Sequence, residues 1–231
     1  MKFVFQPLIN LRSTTLLGFE ALARFSDGRS PDEHFSAART EGNLVELELR
    51  ALERIVESSQ GLPEGLLLTM NASGPAIRAF AHSEPALDPR LLWGLELHEQ
   101  SAPEVCDAAR IHADELGCLL LVDDAGIGYA TRGRILRLKP HIVKLDRSLF
   151  IRYLASTQAR EHVGILLAAA REIGARTLVE GIETGEHLDL ARKLDFDYAQ
   201  GFYFSPGIEL AGLPAAMHEL HGRLGIDIPG F

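Results

Sequence analysis

Cysteine is scarce: Cys106 and Cys118 are the only two in 231 residues, and neither stands in a CxxC or a Cys/His array spaced for zinc. That excludes a disulfide or zinc scaffold and leaves buried thiols. Runs of Lys or Arg are also missing, and the formal net charge is -9. The electrostatic footprint of a protein that tracks long nucleic acid is therefore absent, although a small anion could still be held through bound cations. No apolar stretch approaches the roughly 20 residues that span a bilayer, and MKFVFQP lacks the pattern of a signal peptide. The expectation is a soluble cytoplasmic chain with no membrane segment. The nine histidines form no ligand array; HELH, with His218 and His221, lacks HExxH spacing and reads as helix surface. What the chain does have is hydrophobic residues, 46% of the total. That suffices for one substantial core, so residues 1–231 are expected to form a single domain.

Phe3 to Asn10 and Thr15 to Ala21 read as two strands joined by a tight turn, followed by a loop, SDGRSPDE. From Asn43 to Ser58 the 3.6-residue period places Leu44, Leu47, Ala51, Ile55 and Val56 on one helical face. Strand LLLTMN follows, then a loop with a short helix through Arg90, then strand LLWGLEL. Ser101 and Glu104 form a capping box for a helix that stops near Gly117. Strand CLLLVDD, a glycine-containing loop, helical RILRLK and strand HIVKLD come next. A helix from Thr157 to Ile173, strand RTLVE, a helix from Thr184 to Leu194, strand YAQGFYF and a helical tail complete the chain. Arg132, Arg134 and Arg137 read as a solvated basic face.

Strands alternating with helices indicate parallel β/α units, and about eight strands point to a closed TIM-like (β/α)8 barrel whose opening hairpin makes the first strand antiparallel. The active site of such a barrel lies at the C-terminal ends of its strands. There the apolar runs close on Asn71, Glu96, Asp123 with Asp124, Lys144 and Glu180, while Glu20 sits in the second strand. Together these make an oxygen-only set of five carboxylates and one amide beside a single cation, Lys144. Hard divalent ions, Mg²⁺ or Mn²⁺, suit such donors better than zinc does, and the set is large enough for two of them. Asp123 and Asp124 are neighbours, so a regular strand would point them to opposite faces and a sharp turn is expected at that place.

These motifs, in this order, resemble the EAL-domain family of cyclic di-GMP phosphodiesterases. FQPL, GFEALARF, TMNAS, ELHE, DDAGIGY, VKLD, VEGIE and QGF carry the resemblance nearly end to end. It implies hydrolysis of cyclic di-GMP to linear pGpG by water activated between two Mg²⁺ or Mn²⁺ ions. In that scheme Glu20, Asn71, Glu96 and Asp123 hold one ion, and Asp123 bridges to a second held by Asp124 and Glu180. Lys144 faces the attacking water and the phosphate, so the resemblance gives Lys144, Glu180 and Glu99 catalytic roles, Glu99 as the anchor of the double-aspartate loop. Arg24 and Gln200 match substrate contacts, although Arg24 would also serve as a rim ion pair and Gln200 as a strand-end amide. Glu183 and Asp146 are placed behind the ligands.

Departures from the family pattern are Ala125, Ile127 and His141, where phenylalanine, threonine and aspartate are usual. The resemblance further implies a homodimer. A sensor or diguanylate cyclase partner is expected either in trans or on a longer protein from which this chain is a piece. The competing function is a catalytically weak or silent module that binds cyclic di-GMP or a protein as a regulator. Silent relatives lose metal ligands, and this sequence keeps them all.

Overall fold

The computed structural model describes residues 1–97, 103–125 and 132–231, with the side chains at 103–107 and 124–125 outside the description. The strands are β1 (Lys2–Asn10), β2 (Thr15–Arg24), β3 (Leu67–Ala72), β4 (Leu92–Leu97), β5 (Leu119–Ala125), β6 (Ile142–Leu145), β7 (Arg176–Val179) and β8 (Tyr198–Ala199). They form a closed barrel in sequence order. From β2 to β8 each strand is parallel to the next, whereas β1 runs antiparallel to both of its neighbours. This is the TIM-like barrel with an irregular first strand that the sequence led us to expect.

Period-two alternation divides each strand between two environments. Inward residues form a small apolar plug of Leu8, Leu67, Leu121, Ile142 and Leu178. Outward residues join the larger core beneath the helices, with Phe5, Phe19, Leu68, Leu95, Leu120 and Val143 among them. The close approach of β2 to β3 requires glycine at position 18, where a Cβ would lie 1.8 Å from the Leu67 carbonyl oxygen. The base of the barrel is tied by buried Asp197, which accepts from the Thr177 N–H at 2.9 Å and from Arg12 and Arg176, each at 3.0 Å. Burial works against its ionisation, but these donors outweigh burial and hold its pKa below the usual carboxylate value.

Around the barrel lie α1 (Pro31–Glu41), α2 (Leu44–Ser58), α3 (Gly74–His82), α4 (Pro103–Glu115), α5 (Arg132–Leu138), α6 (Arg147–Arg152), α7 (Thr157–Ile173), α8 (Gly185–Lys193) and α9 (Leu213–Leu224). Four details differ from expectation. The loop SDGRSPDE contains the start of α1, because Ser30 accepts the Glu33 N–H at 3.2 Å while the Glu33 carboxylate accepts the Ser30 N–H at 2.7 Å. This capping box has Pro31 at the first helical position. The buried stripe of α2 is Glu48, Ala51, Leu52 and Ile55, so a carboxylate lies on its inward face. Arg134 is buried, so the basic face of α5 is only partly solvated. YAQGFYF is strand only over Tyr198–Ala199; Gly201 then passes so near Ile182 that a Cβ would lie 2.2 Å from its carbonyl oxygen, and the chain turns. The Ser101 capping box lies outside the described residues.

The tail is clamped to the barrel. Phe5 and Ile208 exchange backbone hydrogen bonds of 2.8 and 3.0 Å, and the Leu16 N–H donates to the Asp227 carbonyl at 2.8 Å. Leu213, Met217, Leu220 and Ile226 are buried beneath it.

Candidate active site

Each polar side chain at the barrel mouth owes its place to its strand. Glu20 lies in β2, Asn71 in β3, Glu96 in β4, Asp123 in β5 and Lys144 in β6; Glu180 and Gln200 are the first residues after β7 and β8. Because β1 runs the opposite way, Gln6 pairs across from Glu20 and also reaches this layer. Beneath them lies the apolar plug, which gives the polar groups an apolar floor.

Lys144 is 1% exposed and stands where the carboxylates converge. Its Nζ donates to Glu96, lies 2.8 Å from Glu180 Oε1 and 3.2 Å from Asp123 Oδ1, and is 3.7 Å from Glu20 Oε2. Glu20 is held from the sides: Asn71 Nδ2 donates to Oε1 at 2.8 Å and Gln200 Nε2 to Oε2 at 2.6 Å. The same Gln200 nitrogen lies 3.0 Å from Gln6 Oε1, and Gln6 Nε2 donates in turn to the Ser205 carbonyl at 3.3 Å.

Four carboxylates facing one ammonium cannot all be ionised cheaply in a dry site. Burial, and then the charge of Glu20, raise the pKa of Glu96 well above its ordinary value. Burial likewise pushes Glu180 up to about 8. Burial alone would depress Lys144, but Asp123, Glu180, Glu20 and Glu96 together outweigh it and raise its pKa. The site therefore holds protons at neutral pH that a divalent cation could replace.

The donors fit such a cation in kind. They are all oxygens, and Glu96 Oε1 is buried without a hydrogen-bond partner among the described residues. As the side chains stand, Lys144 occupies the point of convergence, and among the described residues no three His, Cys, Asp or Glu groups are spaced to hold an ion.

The expected turn at Asp123–Asp124 takes the form of a bulge. Val122 pairs with Val143 and Ala125 with Leu145, so β5 uses three steps where β6 uses two. One extra residue breaks the alternation at the two aspartates. The side chains of Asp124 and Ala125, and all of Glu99 and Ile127, lie outside the described residues. Arg24 ends β2 two alternations beyond Glu20, exposed, with Nη1 donating to the Ala23 carbonyl at 2.8 Å; it makes no ion pair among the described residues. Asp146 caps α6 by accepting the Ser148 N–H at 2.8 Å, and Glu183 pairs with Arg147 Nε at 2.8 Å, so neither touches the cluster among the described contacts.

Gln6 and Glu48 were not singled out from the sequence. Gln6 is a lone polar residue in an apolar strand, a signal that was there to be read. Glu48 looked like one more charge on an amphipathic helix.

The EAL domain family model matches residues 1–207. The chain belongs to the EAL domain family. Among relatives, the oxygen sensor protein DosP of Escherichia coli is 25% identical over 95% of this chain, which spans 30% of DosP. The probable cyclic di-GMP phosphodiesterase PdeG of Escherichia coli is 27% identical over 87% of the chain, which spans 43% of PdeG. This EAL chain thus covers less than half the length of either relative. Klebsiella pneumoniae BlrP1, solved as a manganese/cy-diGMP complex, superposes with a TM-score of 0.77 at 22% identity, covering 90% of this chain and 56% of that one. That likeness is one of fold.

Proposed function

We propose that this EAL chain is a divalent-metal-dependent phosphodiesterase that hydrolyses cyclic di-GMP to linear pGpG, with Mg²⁺ or Mn²⁺ as its ions. The observation that carries the reading is the convergence of Glu20, Glu96, Asp123 and Glu180 on buried Lys144 at the barrel mouth. Relatives named as cyclic di-GMP phosphodiesterases support the substrate class. In this reading Glu20, Asn71, Glu96 and Asp123 would hold one ion, and Asp123, Asp124 and Glu180 a second. Two ions bound there would lower the pKa of a water molecule and draw charge from the phosphate.

The chain's own residues do the rest. Asn71 and Gln200 fix both oxygens of Glu20, so its carboxylate is pre-oriented. Lys144, kept charged by its neighbours, offers an ammonium to the phosphate as negative charge builds on its oxygens. Arg24, exposed at the rim and in no ion pair among the described residues, is available to grip a phosphate with two N–H groups. Gln200 Oε1 is buried and has no hydrogen-bond partner among the described residues, an acceptor for a substrate donor. In this reading Glu99, which lies outside the described residues, would anchor the double-aspartate loop. Water adds to phosphorus and gives up a proton, the bond to the ribose 3′-oxygen breaks, and that oxygen takes up a proton in exchange.

The test incubates purified protein with cyclic di-GMP and Mn²⁺ or Mg²⁺ and follows pGpG by chromatography, with Glu20→Ala alongside. Product from the wild type alone supports the enzyme. Binding by equilibrium dialysis without product under either ion would favour the silent regulator.

A further inference from the structure

A carboxylate on the inward stripe of a helix needs a reason. The buried positions of α2 are Glu48, Ala51, Leu52 and Ile55, the spacing of an apolar face, and Glu48 is 4% exposed. An aliphatic side chain there would avoid the cost of burying a carboxylate, which hydrogen bonds and charge pairing offset. Two of those bonds go to one residue: the Ser73 N–H donates to Glu48 Oε1 at 3.2 Å, and the Ser73 hydroxyl donates to Oε2. Ser73 is the N-cap of α3, where its Oγ accepts the Ala76 N–H at 3.4 Å. A hydroxyl has one proton, so giving it to Glu48 turns the lone pairs toward Ala76 and fixes the rotor. The negative charge also lies at the helix end that favours it.

Ser73 follows Asn71 by two residues. On the β2 side the ladder ends at Ala21↔Met70, while on the β4 side it continues through Asn71↔Glu96 and Ala72↔Leu97. The end of β3 is therefore supported by β4 on one flank and, just past its last residue, by Glu48 from the helical layer. The Asn71 amide projects from this segment to Glu20.

We propose that Glu48 is a positioning residue: through Ser73 it sets the place from which Asn71 meets Glu20. The consequence for ion binding rests on the reading of Asn71 as a ligand. The positioning itself does not. Two measurements separate them. The side-chain NH₂ signals of Asn71, assigned by their loss in Asn71→Ala, report its placement without any metal. In Glu48→Ala they are expected to move toward solvent-exposed values while those of Asn10 stay. In Glu48→Gln, which can still accept the Ser73 N–H through its one oxygen but presents an NH₂ where Oε2 accepted the hydroxyl proton, the movement should be smaller. Mn²⁺ titration should then show affinity weakened by about ten- to a hundredfold in Glu48→Ala, the usual effect of losing a group behind a ligand. The double variant Glu48→Ala/Asn71→Ala should bind no more weakly than Asn71→Ala alone.

Unchanged Asn71 signals in folded variants, or losses of affinity that multiply in the double variant, would overturn the proposal. If Asn71→Ala leaves Mn²⁺ affinity intact, the ligand reading fails and the NH₂ signals alone decide the positioning. Should Glu48→Ala not fold, Glu48→Gln and Ser73→Ala carry the same two measurements.

Discussion

Glu180 illustrates what gathering carboxylates in one buried site costs. Burial holds Glu180 protonated up to about 8, against 4.5 for the free group. A carboxyl whose folded pKa is raised contributes stability that is full below 4.5 and is lost as pH rises toward 8. In EDTA, Glu180→Gln should therefore gain melting temperature relative to wild type as pH rises across that window, by calorimetry at fixed ionic strength. A gap that stays flat with pH would contradict the raised pKa. Excess Mn²⁺ should reverse the order if Glu180 is a ligand, since an ion that binds only the folded form adds about RT ln(1+[L]/Kd). Most of this cluster was legible because polar residues closing apolar runs are conspicuous. Its hydrogen-bond order was not: nothing in the spelling of FQPL or VELELR says that Gln6 meets Gln200 or that Glu48 turns inward.

Elements were legible where one period ran long and were missed where a short motif decided. α2 and α7 follow their 3.6-residue pattern, but α1 has few buried residues and is announced mainly by its Ser30–Glu33 box. Removing that cap should matter: Ser30→Ala is expected to cost about 1 kcal/mol in urea unfolding. A change indistinguishable from zero would mean that α1 is held by packing alone. Between β5 and β6 stands His141. Its Nδ1 accepts the Leu120 N–H at 2.9 Å, and its own N–H donates to the Leu120 carbonyl at 2.8 Å. Burial, and then Arg110, depress its pKa below 6.5. A depressed pKa keeps the ring neutral, so the bond accepted by Nδ1 is present above 6.5 and is lost as pH falls through the folded value, while the backbone bond does not titrate. The stability advantage of wild type over His141→Asn, whose side-chain oxygen can accept the same N–H at any pH, should shrink on acidification from about pH 7.5 to about pH 5. A constant difference would mean that the folded and unfolded chains share one His141 pKa.

For the whole molecule, repeated β/α units gave away the barrel, and the opening hairpin gave away the reversed strand. The tail's contribution was harder to foresee because it rests on long-range contacts such as Phe5 with Ile208. The family match stops at residue 207, yet Leu213, Met217, Leu220 and Ile226 beyond it are buried. Each such side chain contributes roughly 1.5–3 kcal/mol, which together rivals the about 5–15 kcal/mol that holds a typical domain. A chain ending at residue 207 should accordingly be insoluble or molten by near-ultraviolet circular dichroism, and a cooperative melt near that of the full chain would refute this. The antiparallel β1 has a geometric corollary. In a barrel of strands that all point one way, the first strand starts at the base, but here Lys2 pairs with Arg24 at the rim, and Asn10 pairs with Tyr198 at the base. The amino terminus therefore leaves beside the mouth, while Asp227, bonded to Leu16, keeps the carboxyl-terminal segment on the opposite end. A protein joined ahead of Met1 would act like a hinged cover over the opening, and the same protein joined after Phe231 would hang from the floor, out of reach of the entrance.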